Sequence, residues 1–255
     1  MRGLTNKVVI VAGGGGGIGT ATCLRLAEEG STVVVGDLNG DDARNVAESI
    51  NAQGGRAIGV LVNVSDEESV KALVDTALSR FGAVDCLHAN AADLSAPTLA
   101  GDSDVVSMQM DTYDHVMSVD LRGYVLCTRH AVPAMLERGG GVLVYTASDA
   151  AFVGERERPA YAIAKAGVCA LVRHVASRWG KDRVRANAVS PGVVVTPTIA
   201  GAAAEQGLAR HLARSRSWRL GVPADIAGMV AYLMSDDAQW INGQVISVNG
   251  GMILR

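Results

Sequence analysis

The stretch YAIAK carries Tyr161 and Lys165, four residues apart. On a helix that spacing sets both side chains on one face, about one turn apart. A tyrosine, with a reference pKa of about 10, is a poor base at neutral pH, and a neighbouring ammonium favours the phenolate and lowers that value. The pair therefore suits proton exchange with a hydroxyl or a carbonyl. Alone, it is a common coincidence of two surface residues.

A second stretch gives the pair a context. VAGGGGGIGT (residues 11–20) lies between a short apolar run, Lys7–Ala12, and a helical pattern over Ile18–Glu29. Strand, glycines, helix is an arrangement that receives a pyrophosphate. Glycines allow the turn and the close approach of backbone amides, and the helix N-terminus supplies partial positive charge. Asp37 ends the next apolar run, 18 residues after Gly19, where a carboxylate accepts hydrogen bonds from both hydroxyls of an adenosine ribose. A 2′-phosphate against that carboxylate costs on the order of 1–4 kcal/mol. Gly14–Gly16, Leu38 and Asn39 bring no compensating positive charge, so NAD is expected over NADP. Gly13, Gly17 and Gly19 meet the positions where the turn demands glycine, and Gly14–Gly16 read as surplus.

The elements that must position these groups alternate along the chain. Strands are expected at Lys7–Ala12, Thr32–Gly36, Ala57–Val64, Val84–Ala89, Val142–Ala147, Arg185–Val189 and Gln244–Val248. Helices are expected at Ile18–Glu29, at Asp41–Ala52 with Asp41 or Asp42 as cap, from Ser65 to Phe81, over Thr112–Glu137 as one long element, at Pro159–Trp179 and at Ala224–Met234. Strands that are apolar at nearly every position and alternate with helices point to a parallel sheet covered on both faces. The expected fold is a doubly wound α/β (Rossmann-type) single domain of about seven strands spanning residues 1–255. Two long connections, 91–111 and 193–222, break the rhythm, and such loops in α/β domains are often functional.

Composition agrees. Of 255 residues, 49% are hydrophobic and only 4% aromatic, which suits a core of Val, Ala, Leu and Ile. The net charge of −3, with no basic run, argues against a nucleic-acid partner. No apolar stretch approaches the 18 or so residues of a membrane span, and no leader pattern precedes Lys7, so a cytoplasmic protein is expected. Cys23, Cys86, Cys127 and Cys169 lie far apart within apolar patterns and read as buried thiols, and the five histidines show no ligand spacing, so no metal is expected.

Taken in order, these motifs resemble the short-chain dehydrogenase/reductase family in its single-domain branch, over nearly the whole chain. The resemblance is carried by AGGGGGIG (Ala12–Gly19), Asn63-Val64, HANAA (His88–Ala92), Ser148 thirteen residues before Tyr161, Lys165, NAVSPG (Asn187–Gly192) with Thr196 beyond it, and NGQVISVNGG near the end. It implies that Tyr161 exchanges the proton, Ser148 orients the substrate oxygen, and Lys165 binds the nicotinamide ribose and depresses the tyrosine pKa. It also places Gly13, Gly17, Ile18 and Gly19 along the pyrophosphate, Asp37 and Leu38 at the adenosine ribose, Asn63 and Val64 at the adenine, Asn90 beside the neighbouring backbone, and Val194 and Thr196 at the carboxamide. The implied protein is a homotetrameric NAD-dependent alcohol dehydrogenase or ketone reductase with a substrate lid around 193–222.

Three departures from the family pattern stand out. Ala12 replaces a threonine that ties the loop to neighbouring backbone, and Ala89 and Ala92 alter the NNAG region; both changes are expected to loosen hydrogen bonding. Asp120, in SVDLRG, stands where the fourth catalytic residue is normally asparagine, and adds a negative charge near Lys165. That charge is expected to move oxidation to higher pH. It also motivates a rival reading, a catalytically weak NAD-binding regulatory protein, against which the intact Ser148, Tyr161 and Lys165 argue. Arg210, His211, Arg214, Arg216 and Arg219 cluster in the expected lid and read most simply as a solvated helix face. The lid favours no substrate firmly; apolar secondary alcohols, cyclic ones included, are preferred.

Overall fold

The computed structural model describes residues 1–196 and 202–254. The part of the expected lid at 197–201 lies outside the described residues. The first half of the chain alternates β1 (Val8–Ala12), α1 (Gly17–Glu28), β2 (Thr32–Asp37), α2 (Gly40–Ala52), β3 (Arg56–Leu61), α3 (Glu67–Phe81) and β4 (Cys86–Ala89). A short α4 (Ala96–Gly101) and α5 (Met110–Met117) follow, then a π-helical turn (Ser118–Arg122), α6 (Gly123–Glu137), β5 (Gly141–Thr146), α7 (Pro159–Trp179) and β6 (Val184–Pro191). The chain closes with α8 (Ala202–Arg214), α9 (Pro223–Met234) and β7 (Val245–Val248).

The seven strands form one all-parallel sheet in the order β3-β2-β1-β4-β5-β6-β7. The order reverses between β1 and β4, and such a switch point opens a crevice beyond the C-terminal ends of the strands. Along β1, Val8, Ile10 and Ala12 pack on one face while Val9 and Val11 pack on the other, the two-residue period of a strand. The first face is covered by α3, α6 and α7, the second by α1, α2 and α9. Both layers are needed because β1 and β4 are buried at every position.

The structure differs from the sequence expectations in places that matter to the crevice. β3 stops at Leu61, the partner of Asp37 where β2 also ends, so Val62–Val64 turn off the sheet rather than extending it. Asn39, not Asp41 or Asp42, caps α2 by accepting from the amides of both aspartates. Asp66 rather than Ser65 caps α3. The long helix expected over Thr112–Glu137 begins at Met110 and is interrupted by the π-helical turn, a wider coil that carries Asp120 into the interior. The 193–222 connection, expected as a break in the rhythm, carries α8, of 13 residues.

Candidate active site

A cavity of about 2090 Å³ lies over the switch point, roughly twice the 1,000 Å³ or so at the upper end for one ordinary ligand. Every residue expected at the site lines it except Gly19 and Asp120.

The glycine loop forms one wall. Gly13 (φ 86°) and Gly17 (φ 47°) hold the positive φ that glycine adopts without strain. Gly19 is buried beneath the loop, where an added Cβ would sit 1.8 Å from the Gly13 carbonyl oxygen. Two of the glycines that read as surplus are not. A Cβ on Gly14 would lie 2.8 Å from Val35 Cγ1, and one on Gly15 2.8 Å from Asp37 Cγ; only Gly16 faces open space. The Gly15 amide donates to Asp37 Oδ2 at 2.8 Å and the Asn39 amide to Oδ1 at 3.0 Å, which fixes the carboxylate at the rim. Gly16 caps α1 without a side-chain hydrogen bond, leaving the first amides of the helix to the cavity. Arg44, absent from the sequence reading, also lines this end, but its guanidinium is paired with Asp41.

The loosened network expected around Ala12 and Ala89 is instead braced from below. Asn90 Nδ2 donates to the Gly13 carbonyl at 2.8 Å, Thr146 Oγ1 donates to Asn90 Oδ1 at 2.9 Å, and His88 Nε2 meets Thr146 Oγ1 at 2.9 Å. Burial lowers the His88 pKa to about 3, so the ring is neutral, and with the threonine proton committed to Asn90 it is His88 that donates.

The opposite wall is built from charges. Tyr161 projects from the first turn of α7, and Lys165, one turn on, is buried with Nζ 5.5 Å from the centre of the Tyr161 ring. Lys165 Nζ donates to Tyr124 Oη at 3.0 Å, and Tyr124 in turn donates to the Thr146 carbonyl at 3.2 Å. Ser148 follows β5, its hydroxyl accepts from the Ala150 amide at 3.2 Å, and it lines the cavity with Tyr161. Burial raises the Tyr161 pKa to about 12; Ser148 works against that rise, Asp120 adds to it and Arg158 opposes it. The phenol is therefore above its ordinary range, not below it as the tyrosine–lysine spacing alone suggests. Lys165 is pushed down by burial, against the pull of Asp120.

Asp120 lies behind Lys165, fully buried, with Oδ1 3.9 Å from Nζ. Among the described residues neither carboxylate oxygen has a hydrogen-bond partner. Burial lifts its pKa to about 6 even though Lys165 pulls it down. The expectation that it is a charge near the lysine holds in position, and the raised pKa is the consequence of burying a carboxyl at an ion-pair distance too long for a hydrogen bond.

Three further residues escaped the sequence reading. Tyr124 is the hydrogen-bond partner of Lys165. Asp102, 2% exposed at the end of α4, accepts from the amides of Ala160 and Tyr161 at 3.0 and 2.9 Å, and so caps the helix that carries Tyr161 from the other side of the cavity. Asp149 takes Asn249 Nδ2 and Ser190 Oγ, tying the C-terminal NGG segment to the turn that presents Ser148. Each is a single polar residue with no spacing signal. The basic cluster of the expected lid divides: Arg219 is bidentate to Asp225, Arg216 binds the carbonyls of Gly251 and Met252, and His211 and Arg214 line the cavity.

A family model described as Enoyl-(Acyl carrier protein) reductase matches residues 13–253. The chain is 38% identical to a cis-4-hydroxycyclohexanecarboxylate dehydrogenase of Sinomonas cyclohexanicum, with 96% of each chain covered. It is 35% identical to a cyclohexanol dehydrogenase of Acinetobacter sp. (strain SE19), with 96% of this chain and 94% of that one covered. The chain belongs to the short-chain dehydrogenase/reductase family. As a member of that family it is a nicotinamide-dependent oxidoreductase. Its fold matches the family member 7α-hydroxysteroid dehydrogenase, solved with NADH and 7-oxo glycochenodeoxycholic acid, at a TM-score of 0.90 and 31% identity, covering 98% of this chain and 95% of that one. Among the described residues of the present chain no helix is long and apolar enough to cross a membrane.

Proposed function

We propose that the protein interconverts a cyclic secondary alcohol and its ketone, using NAD. The observation that carries this reading is the convergence of Ser148, Tyr161 and a buried Lys165 on a cavity that also contains the glycine loop and Asp37. The residues present suit a dinucleotide. Unclaimed amides at the start of α1 and the open space over Gly16 suit the pyrophosphate along Gly13, Gly17 and Ile18, with Gly19 shaping the loop from beneath. Asp37, already oriented by two amides and flanked by Leu38, suits ribose hydroxyls and disfavours a 2′-phosphate, while Arg44 is neutralised by Asp41. Asn63 and Val64 would hold the adenine, Asn90 braces the loop, and Val194 and Thr196 would receive the carboxamide, all from the lining of the same cavity.

A nicotinamide bound there would supply the hydride acceptor for oxidation of the carbinol carbon and the hydride donor for reduction of the ketone. Tyr161 takes the hydroxyl proton as base in oxidation and gives it back as acid in reduction. Ser148 donates to the same oxygen and holds it against the phenol. Lys165, fixed by Tyr124 and Asp120, places a positive charge beside the Tyr161 ring and opposes the effect of burial. Cyclic alcohols are favoured because two relatives at 35% and 38% identity carry dehydrogenase names with cyclohexane substrates. Residues 193–222, including α8, would act as the lid over the substrate.

The test is oxidation of cyclohexanol and substituted cyclohexanols with NAD and with NADP, followed by absorbance of the reduced cofactor. Turnover with a lower KM for NAD is expected; a preference for NADP refutes the cofactor assignment, and no turnover of any cyclic alcohol refutes the substrate class. We further infer a homotetramer. Exposed Val125, Leu136 and Ile163 on α6 and α7, and the open edge of β7, give apolar and hydrogen-bonding surface for a second copy. Size-exclusion chromatography with light scattering giving only monomer overturns that inference.

A further inference from the structure

We propose that the substrate carries a carboxylate, and that Arg158 and Arg214 hold it at the mouth of the cavity. This rests on the secondary-alcohol reading above and adds the chemical class of the molecule.

Both arginines line the main cavity together with Tyr161, and both also line a side pouch of about 380 Å³ that opens beside Glu155. Arg158 sits three residues before Tyr161, with its guanidinium carbon 5.8 Å from the centre of the tyrosine ring. Its backbone is left-handed (φ 64°, ψ 48°), a conformation uncommon for a residue with a long side chain. The amide of Arg158 donates to the carbonyls of Asp102 and Ser103, and the Asp102 carboxylate accepts from the amides of Ala160 and Tyr161 in the first turn of α7. The strained backbone is thus held from both sides, and the side chain is presented to the cavity beside the reacting phenol.

Among the described residues the guanidinium of Arg158 makes no side-chain hydrogen bond; it lies over the Tyr161 ring and at ion-pair distance from Glu155. Its contact with Glu155 is 3.9 Å, too long for a hydrogen bond. Arg214, at the end of α8, makes no side-chain ion pair among the described residues, in contrast to Arg219, which Asp225 neutralises. Around the pouch the arginines at 156, 158 and 214 face the glutamates at 155 and 157, a surplus of one positive charge that matches a monoanion. A guanidinium fork fits a carboxylate bidentately. Leu94, Leu99, Val153, Met252 and Ile253 add apolar surface to the wall that accepts a hydrocarbon ring. Because Arg158 is so close to Tyr161, the spacer between carbinol carbon and carboxylate is short, of the order of one ring.

The experiment compares kcat/KM for 4-hydroxycyclohexanecarboxylate (both isomers) and for the matching carboxamides, with cyclohexanol as reference, in the wild type, Arg158→Gly and Arg214→Ala. Glycine adopts a positive φ freely, so Arg158→Gly removes the guanidinium without demanding a new backbone. The wild type is expected to favour the carboxylate over the carboxamide by about tenfold or more, and each variant to bring that ratio down toward one. The ratio reports the charge alone, since a general loss of structure lowers both substrates together. Equal use of carboxylate and carboxamide by the wild type, or a ratio unmoved in both variants, overturns the proposal. Turnover of cyclohexanol in that case leaves the secondary-alcohol reading standing; no turnover of any of these compounds overturns both.

Discussion

The glycine loop is held by backbone atoms and close packing within one strand–turn–helix unit, braced by Asn90, whereas Tyr161 and Lys165 depend on side chains from four other segments. At the first end the decisive contacts are an amide on Asp37 and a carbonyl pressed on a glycine. At the other, α6 brings Tyr124, the π-helical turn brings Asp120, the end of β5 brings Ser148 and the end of α4 brings Asp102. The first end is built by shape and is vulnerable to added atoms. The second is built by buried charge and is vulnerable to lost or altered partners.

The largest expected effect tests the second end directly. Tyr161→Phe removes the proton-exchanging oxygen while keeping the ring beside Lys165. A fall in kcat of about 10²–10⁴ is expected, the usual range for a general acid–base group, with NAD binding by fluorescence titration changed less than threefold or so on the same scale of effects. A variant that retained a tenth of the wild-type rate would show that the charged wall is not where the chemistry happens.

The first end is tested by a pair of substitutions. Gly19→Ala places a Cβ 1.8 Å from the Gly13 carbonyl, so the loop must move; a loss of about 1–3 kcal/mol is expected, together with weakened NAD binding. Gly16→Ala meets nothing within 4 Å at a negative φ, and its melting temperature should match the wild type. Equal thermal stability of the two variants would break the claim that shape governs this end.

How far the sequence could be read follows from the same contrast. The run Ala12–Gly19 and Asp37 were legible because the parts of a strand–turn–helix unit are near neighbours in the chain. Tyr161 and Lys165 were legible because one helix supplies both. Gly14 and Gly15 were misjudged because their need for glycine is set by Val35 and the Asp37 side chain across the turn, not by the turn itself. Asp102 and Tyr124 gave no signal: each is one polar residue whose partner on α7 is at least 41 positions away, and only the folded sheet brings them together. The π-helical turn is invisible to a period-counting argument, since the apolar pattern continues through it.

A smaller effect separates positioning from chemistry within the charged wall. Asp102→Ala leaves two amides at the start of α7 without their acceptor, and about 1 kcal/mol of stability should be lost, as for other helix caps. Because the cap fixes the first turn of α7, kcat should fall while KM for NAD stays near its wild-type value, and Asp102→Asn should recover part of the loss. A change confined to KM for NAD would place Asp102 at the wrong end of the crevice.

The subtlest prediction concerns Asp120, where both arguments meet in one buried carboxyl. An unfolded aspartate ionises near 3.8 and this one near 6, because burial outweighs the attraction of Lys165; Asp93 adds to the rise and His115 opposes it. Between those two values the folded protein keeps a proton that the unfolded chain has released, so stability falls as pH rises through that window and levels off above it. Asp120→Asn removes the slope: urea melts should show the variant gaining on the wild type from pH 4 to pH 6, and then holding a constant difference. The same carboxylate, once ionised, raises the Tyr161 pKa. Its replacement should therefore move the pH–rate profile for alcohol oxidation to lower pH and raise the rate at neutral pH severalfold, without altering the preference for NAD. A stability slope that disappears while the rate profile stays fixed would assign Asp120 to holding Lys165 in place. A profile that moves with it assigns the aspartate to setting the pH at which Tyr161 works.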